Sequence, residues 1–170
     1  MADANDILFG RAAPGAKFPN VGDSVEGVIL ELGARQRNAY DPDKAGCQGG
    51  PLWWQNGKPV QMDANVANSM TLQPVTDAVI TLQTEERDDE DEMDDGRRRL
   101  FVSARLLADA LRKAAKDAKV RKFEVGGTLK VTHHAMGKPA KKGARAPKDY
   151  TATYTAPDVE APEVEEDPWA

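Results

Sequence analysis

The chain has 170 residues, of which 40% are hydrophobic and 30% charged, and its net charge is −5 at pH 7. That length supports one globular domain with residues left over for loops and tails. No run of about 18 apolar residues occurs, which excludes a membrane-spanning helix. The single cysteine, Cys47, excludes an internal disulfide framework and suits a reducing cytoplasm.

Residues 1–17 read as a flexible arm rich in Ala, Gly and Pro, with no basic start and apolar run of a secretory signal. Val21-Gly22-Asp23 is a turn signal. Ser24 to Leu32 is β-rich and apolar, and Gly27 within it suggests a bulge or a sharp bend. Gly33 to Met62 reads as a long irregular loop, with turns at Gly49-Gly50-Pro51 and Asn56-Gly57 on either side of Trp53 and Trp54. Asp63 to Pro74 fits a helical turn or more loop.

Ala78 to Thr84 reads as a strand, Arg97 to Ser103 as its hairpin partner, and Glu85 to Gly96 as a flexible loop between them. Alternation puts Leu100 and Val102 on one face of the second strand, and Arg97, Arg99 and Phe101 on the other. Ala104 to Lys119 carries Leu107, Ala110, Leu111, Ala114, Ala115 and Ala118 at helical spacing, with Ser103 as N-cap. Lys116, Lys119, Arg121 and Lys122 suit the negative end of that helix. Two strands follow, Gly127 to Met136 and Lys148 to Thr155, joined by the basic loop Gly137 to Pro147. Asp158 to Ala170 is too acidic to build a core and is expected to be disordered.

The charge is segregated. The tail from Asp158 carries −6 and Glu85 to Asp95 carries −8, which leaves +9 on the remaining residues. A basic body favours nucleic-acid phosphates, and the acidic segments would compete internally for the same surface. The bland alternative is that both are solvated charge runs.

The element order is strand, long loop, strand, strand, helix, strand, strand. It predicts a mainly β fold: a five-stranded OB-fold barrel with one helix between strands three and four, and a disordered acidic tail. The predicted organisation is a flexible N-terminal arm (1–17), an OB-fold domain (18–157) and the tail (158–170). OB-folds bind oligonucleotides on the second and third strands, flanked by the loops between strands one and two and between four and five. Here those two loops are basic, and the first also carries the tryptophan pair.

Through FPNVGDSVEGVI (18–29), PLWWQNGKP (51–59), AVITLQTEERD (78–88), DDGRRRLFV (94–102), EVGGTLKVT (124–132) and DYTATYT (149–155), the chain resembles phage single-stranded-DNA-binding proteins with an OB-fold. The tail, with Asp167, Pro168 and Trp169, is similar to the acidic tails of that family in bacteria and their phages. The resemblance implies single-stranded DNA as ligand and replication or recombination proteins recruited by the tail. It also implies action in the cytoplasm of a bacterial host cell. In the bacterial type the aromatic after proline closes the tail, whereas here Ala170 follows Trp169.

Binding single strands without reading sequence needs cations along the backbone and aromatic faces for the bases. The stacking candidates are Trp53, Trp54 and Phe101, with Tyr40 weaker. One tryptophan is expected to be buried, and a register slip of one would turn Phe101 into the core. Tyr150 and Tyr154 share a strand face and read as core or a second platform. The phosphate candidates are Arg35, Arg37, Lys58, Arg97, Arg99 and Lys130, with Lys138, Lys141, Lys142 and Arg145 from the last loop.

No P-loop, GxSxG or HExxH string supports an enzyme or a cofactor. A metal site would need Cys47, His133 and His134 to converge, yet adjacent histidines on a strand face opposite ways. Two other classes remain open: an OB-fold protein-interaction module whose acidic loop mimics DNA for a host protein, and a structural virion component. A homodimer is compatible with all three readings, but no patch in the sequence specifies one.

Overall fold

The computed structural model describes residues 13–139 and 141–157. The calls on residues 1–12 and on the tail 158–170, including Asp167, Pro168 and Trp169, lie outside the described residues. Two antiparallel sheets dominate, so the fold is mainly β. The larger sheet has five strands in the order β7-β6-β1-β8-β9, with β1 at Ser24–Gln36, β6 at Thr76–Gln83, β7 at Arg97–Val102, β8 at Thr128–Met136 and β9 at Lys148–Thr155. One long helix, α2 (Arg105–Asp117), lies between β7 and β8 in sequence and packs mainly on β9.

Alternation decides what each strand buries. Val25 and Ile29 of β1, Ile80 and Leu82 of β6, Leu100 of β7, and Leu129 and Val131 of β8 form one inner face. Leu107, Leu111 and Ala114 of α2 close over it, with Phe18 and Tyr154 at its margins. Tyr154 is therefore core, and its hydroxyl accepts from the Glu124 N–H at 3.0 Å. Each large apolar side chain fully buried here stabilises by roughly 1.5–3 kcal/mol, so this face holds the fold together.

β1 is long enough to serve two partners. Its first half pairs β8 and its second half pairs β6, with a register shift between Ile29 and Glu31. Gly27 marks a close approach instead of that bulge, since a Cβ there would stand 2.3 Å from the Gln83 carbonyl oxygen. Among the described residues the sheet is not closed into a barrel: β7 and β9 remain its outer strands. The N-terminal segment runs along β7 instead. The Arg99 N–H donates to the Pro14 carbonyl at 2.9 Å, and the Ala16 N–H to the Arg99 carbonyl at 2.8 Å, in parallel register. Lys148 of β9 then donates to the Phe18 carbonyl at 2.7 Å, and the Phe18 ring stands edge-on to Tyr150, 5.5 Å between centroids. Residues 13–17, predicted as part of a flexible arm, are thus packed against the sheet.

The largest departure from the predicted elements is Gly33 to Met62. It contains the end of β1, β2 (Asn38–Tyr40), a short 3-10 turn (Ala45–Cys47), β3 (Gln48–Gln55) and β4 (Lys58–Gln61). With α1 (Ala64–Ser69, capped by Asp63) and β5 (Gln73–Pro74) these strands make a second small sheet. Backbone hydrogen bonds from Arg37 to Val75, Leu52 to Arg37 and Val75 to Leu52 stitch it onto the end of the β1–β6 ladder. It forms an arm on the main sheet. Asn56-Gly57 is the hairpin turn between β3 and β4, both residues with positive φ. Gly49-Gly50-Pro51 is strand, not turn, and its glycines sit under close neighbours: a Cβ on Gly49 would meet the Ala39 oxygen at 3.1 Å, and one on Gly50 the Gln61 amide at 2.9 Å. Helix α2 starts one residue later than predicted, with Ala104 and not Ser103 as N-cap, and no side chain caps it.

Candidate nucleic-acid interface

Three consecutive arginines open β7 and meet three different environments, because a strand alternates faces. Arg98 points inward and is buried, its guanidinium forked onto Asp94 at 2.8 and 2.6 Å and near Glu86 at 3.4 Å. Arg97 and Arg99 stand on the outer face, half-buried. Arg97 donates to Asp95 at 2.6 Å, and Arg99 to the Ala13 carbonyl at 2.6 Å.

Phe101 shares that outer face, so the predicted register holds and the ring is not core. The Arg35 guanidinium lies 3.9 Å from its centroid and the Arg99 guanidinium 5.0 Å. The ladder explains this convergence: Phe101 opposes Val79, Val79 opposes Gly33, and Gly33, lacking a side chain, leaves the ring open to Arg35 two residues on. A cation over an aromatic face is attracted by the ring quadrupole. The result is a flat plate, aromatic beneath and guanidinium above, flanked by a second arginine.

Arg37 is committed elsewhere. Its Nε donates to both oxygens of Asp77 at 3.1 Å, and Asp77 is buried. The Asp77 hydrogen bond raises the Arg37 pKa above its ordinary value. This pair anchors the arm to β6 and removes Arg37 from the set of free phosphate cations.

The arm separates the two tryptophans. Trp53 is 6% exposed and donates its ring N–H to the Met62 carbonyl at 3.1 Å, so it is a packing residue. Trp54, on the opposite face of β3, is 45% exposed. Tyr40 on β2 is 77% exposed, and Lys58 at the β3–β4 turn is exposed. The arm therefore offers two open aromatic faces and a cation.

Lys130 lies on the outer face of β8, opposite Glu26 of β1. Lys138, Lys141, Lys142 and Arg145 are all exposed in the β8–β9 loop. The structure thus brings Arg35, Arg99 and Phe101 into contact, and groups Trp54, Tyr40 and Lys58 on the arm. The loop cations form a third group. On β8, His133 is buried and His134 exposed, so the two histidines face opposite ways as the strand period requires.

The acidic loop between β6 and β7 is folded by its own side chains. The Asp88 N–H donates to Asp94 at 2.7 Å, the Gly96 N–H to Asp94 at 2.9 Å, and the Thr84 hydroxyl to the Gly96 carbonyl at 2.6 Å. Arg98 beside it, with the Gly96 N–H, holds the Asp94 carboxyl well below the usual carboxylate range. Reading the sequence missed two anchoring residues. Asp77 is forty positions from Arg37 and gave no local signal, whereas the Asp94–Arg98 spacing of four was visible.

Compared with models of protein families, with curated proteins and with solved structures, the chain matches none.

Proposed function

We propose that this chain binds single-stranded DNA with little sequence preference, on the outer face of β6 and β7 continued by the arm. The observation that carries this reading is the Arg35–Phe101–Arg99 plate. Bases stack on aromatic rings and on guanidinium planes, and the two arginines supply phosphate-binding charge beside the stack. Trp54 and Tyr40 extend the stacking surface, and the exposed loop lysines extend the charge. The protein acts as a binding protein and not an enzyme. It resembles the phage single-stranded-DNA-binding proteins and would serve replication, recombination or repair in the cytoplasm of a bacterial host cell.

We read the larger sheet as an opened OB-type arrangement, which agrees with the same function. In that reading β1, β6, β7, β8 and β9 stand for OB strands one to five, since the sheet runs β7-β6-β1-β8-β9 with a helix between β7 and β8 in sequence. Residues 14–18 bond to Arg99 of β7 and Lys148 of β9, the two outer strands that a closed barrel would join.

The test is a titration of the full chain with oligo-dT and with a matched duplex at two salt concentrations. Tight binding to oligo-dT, weak response to duplex and loss at high salt are expected. Equal affinity for both, or none for either, overturns the reading. A second reading has one observation in its favour: the acidic loop is held in a fixed shape, which suits mimicry of DNA toward a protein. Absence of DNA binding together with a partner contacting Glu85 to Asp95 would establish it.

A further inference from the structure

The outer strands β7 and β9 do not pair with each other, and the chain from Ala16 to Phe18 crosses the gap between them, bonded to Arg99 on one side and Lys148 on the other. In that gap lies a cleft of about 400 Å³. It sits at the edge of β7, so it is bordered both by Leu100 of the inner face and by Phe101 of the outer face. Leu107 of α2 and Tyr150 of β9 complete its apolar wall, and the Phe18 ring stands edge-on to Tyr150. Lys17 and Lys148 bring two cations to the same cleft.

The polar groups here are few and largely unspent. Among the described residues the Tyr150 hydroxyl has no hydrogen-bond partner. Burial pushes that hydroxyl above its ordinary range, so it stays protonated and able to donate. Lys148 donates to the Phe18 carbonyl at 2.7 Å, and an ammonium has three donors. A cleft with aromatic walls and a few placed donors suits a planar ligand that carries carbonyl oxygens. The volume lies near the lower end of the roughly 300–1,000 Å³ of small-molecule pockets, which is room for one nucleoside and not for a folded segment of a partner protein.

Phe101 joins this cleft to the plate. The ring has the Arg35 guanidinium 3.9 Å from its centroid, and it also borders the cleft. Gly15 stands at the junction: a Cβ there would be 3.3 Å from the Phe101 ring, so the crossing chain lies against the ring without a side chain to cover it. A strand lying on the plate therefore passes beside the cleft. Turning one base out of a strand costs least when that strand is already unpaired.

We propose that the cleft takes one base of the bound strand, turned off the stack against Tyr150, with the Tyr150 hydroxyl and Lys148 donating to its ring carbonyl oxygens. This proposal rests on the single-strand reading above and adds a preference at one position. Thymine, with two ring carbonyls, is held there, and adenine, with none, is not. Lys17, exposed beside the cleft, meets the neighbouring phosphate.

The experiment photocrosslinks the full chain to oligo-dT carrying 5-iodouracil at one position and maps the joined peptides by mass spectrometry. Titrations of the wild type and of Tyr150→Phe with oligo-dT and oligo-dA run alongside. Crosslinks at Tyr150 or Phe18 are expected in addition to Phe101. Tyr150→Phe keeps the ring and the melting temperature, lowers oligo-dT affinity about three- to tenfold, the worth of one neutral hydrogen bond, and leaves oligo-dA affinity alone. Crosslinks at Phe101, Trp54 and Tyr40 with none at Tyr150 or Phe18 overturn the proposal and leave the single-strand reading standing. So does a Tyr150→Phe variant that binds both oligomers as the wild type does, or that loses affinity for both equally. Failure of the wild type to bind either oligomer removes the single-strand reading, and this base site with it.

Discussion

Two loops of opposite charge differ in how they spend that charge. The acidic loop from Glu85 to Asp95 turns its carboxylates on itself: Asp88, Asp91 and Asp94 accept backbone N–H groups within the loop, and Asp94 takes the Arg98 fork. The basic loop from Gly137 to Pro147 leaves Lys138, Lys141, Lys142 and Arg145 exposed, and among its described residues it is closed by backbone hydrogen bonds. The difference is chemical. A carboxylate only accepts, and every loop residue but proline offers a backbone donor. An ammonium only donates, and exposed carbonyls are satisfied by water. One loop builds its own frame, while the other keeps its charge for an external anion.

The largest effect expected from breaking this contrast is on the acidic loop. Arg98→Ala removes the cation that organises Asp94, so the Thr84 and Gly96 amides lose most of their hydrogen-exchange protection and the melting temperature falls by several degrees, at about 2–4 °C per kcal/mol for a chain of this size. Replacing Lys138, Lys141, Lys142 and Arg145 together by Ser leaves melting unchanged. It lowers the salt slope of oligo-dT binding by up to about 3, at roughly 0.7 per phosphate contact. A melting temperature that falls with the basic loop would show that loop to be structural.

Intermediate effects sharpen the contrast at single residues. Trp54→Ala weakens oligo-dT binding by about 1–3 kcal/mol with no loss of stability. Arg37→Ala does the reverse: it leaves the buried Asp77 carboxylate without its partner, costs on the order of 2 kcal/mol in urea unfolding, and leaves the salt slope alone. The smallest effect is on pH. Because the folded Asp94 carboxyl titrates below its unfolded value, its contribution is complete above about pH 4 and is lost only as pH falls through the lower folded value. The Asp88 and Gly96 amides should hold native shifts through pH 4 and move below it. Movement already at pH 5 would contradict the Arg98–Asp94 assignment.

Strands β6 to β9 and helix α2 were legible because alternation and helical spacing act within a few residues. The arm was not. Gly49, Gly50 and Pro51 carry the local signature of a turn, and only the approach of Ala39 and Gln61 shows why two glycines stand in a strand there. The candidate site was legible as a composition and not as an arrangement. Sequence named Arg35, Arg37, Arg97 and Arg99 alike, and tertiary pairing then separated them: Arg37 went to Asp77, Arg97 to Asp95, and only Arg35 and Arg99 to Phe101. Such choices depend on register across strands, which no single segment encodes.

Residues 14–16 have a further consequence through the backbone they cover. An outer strand normally presents a row of unpaired N–H and C=O groups, which is a template for another chain. Here the Arg99 N–H and carbonyl of β7 are already taken by Pro14 and Ala16 of the same molecule. When many copies crowd together, the bridge at Arg99 interrupts that template in the middle of β7. Residues 14–16 thus act as a guard against self-polymerisation, and solubility at high local density depends on keeping them in place.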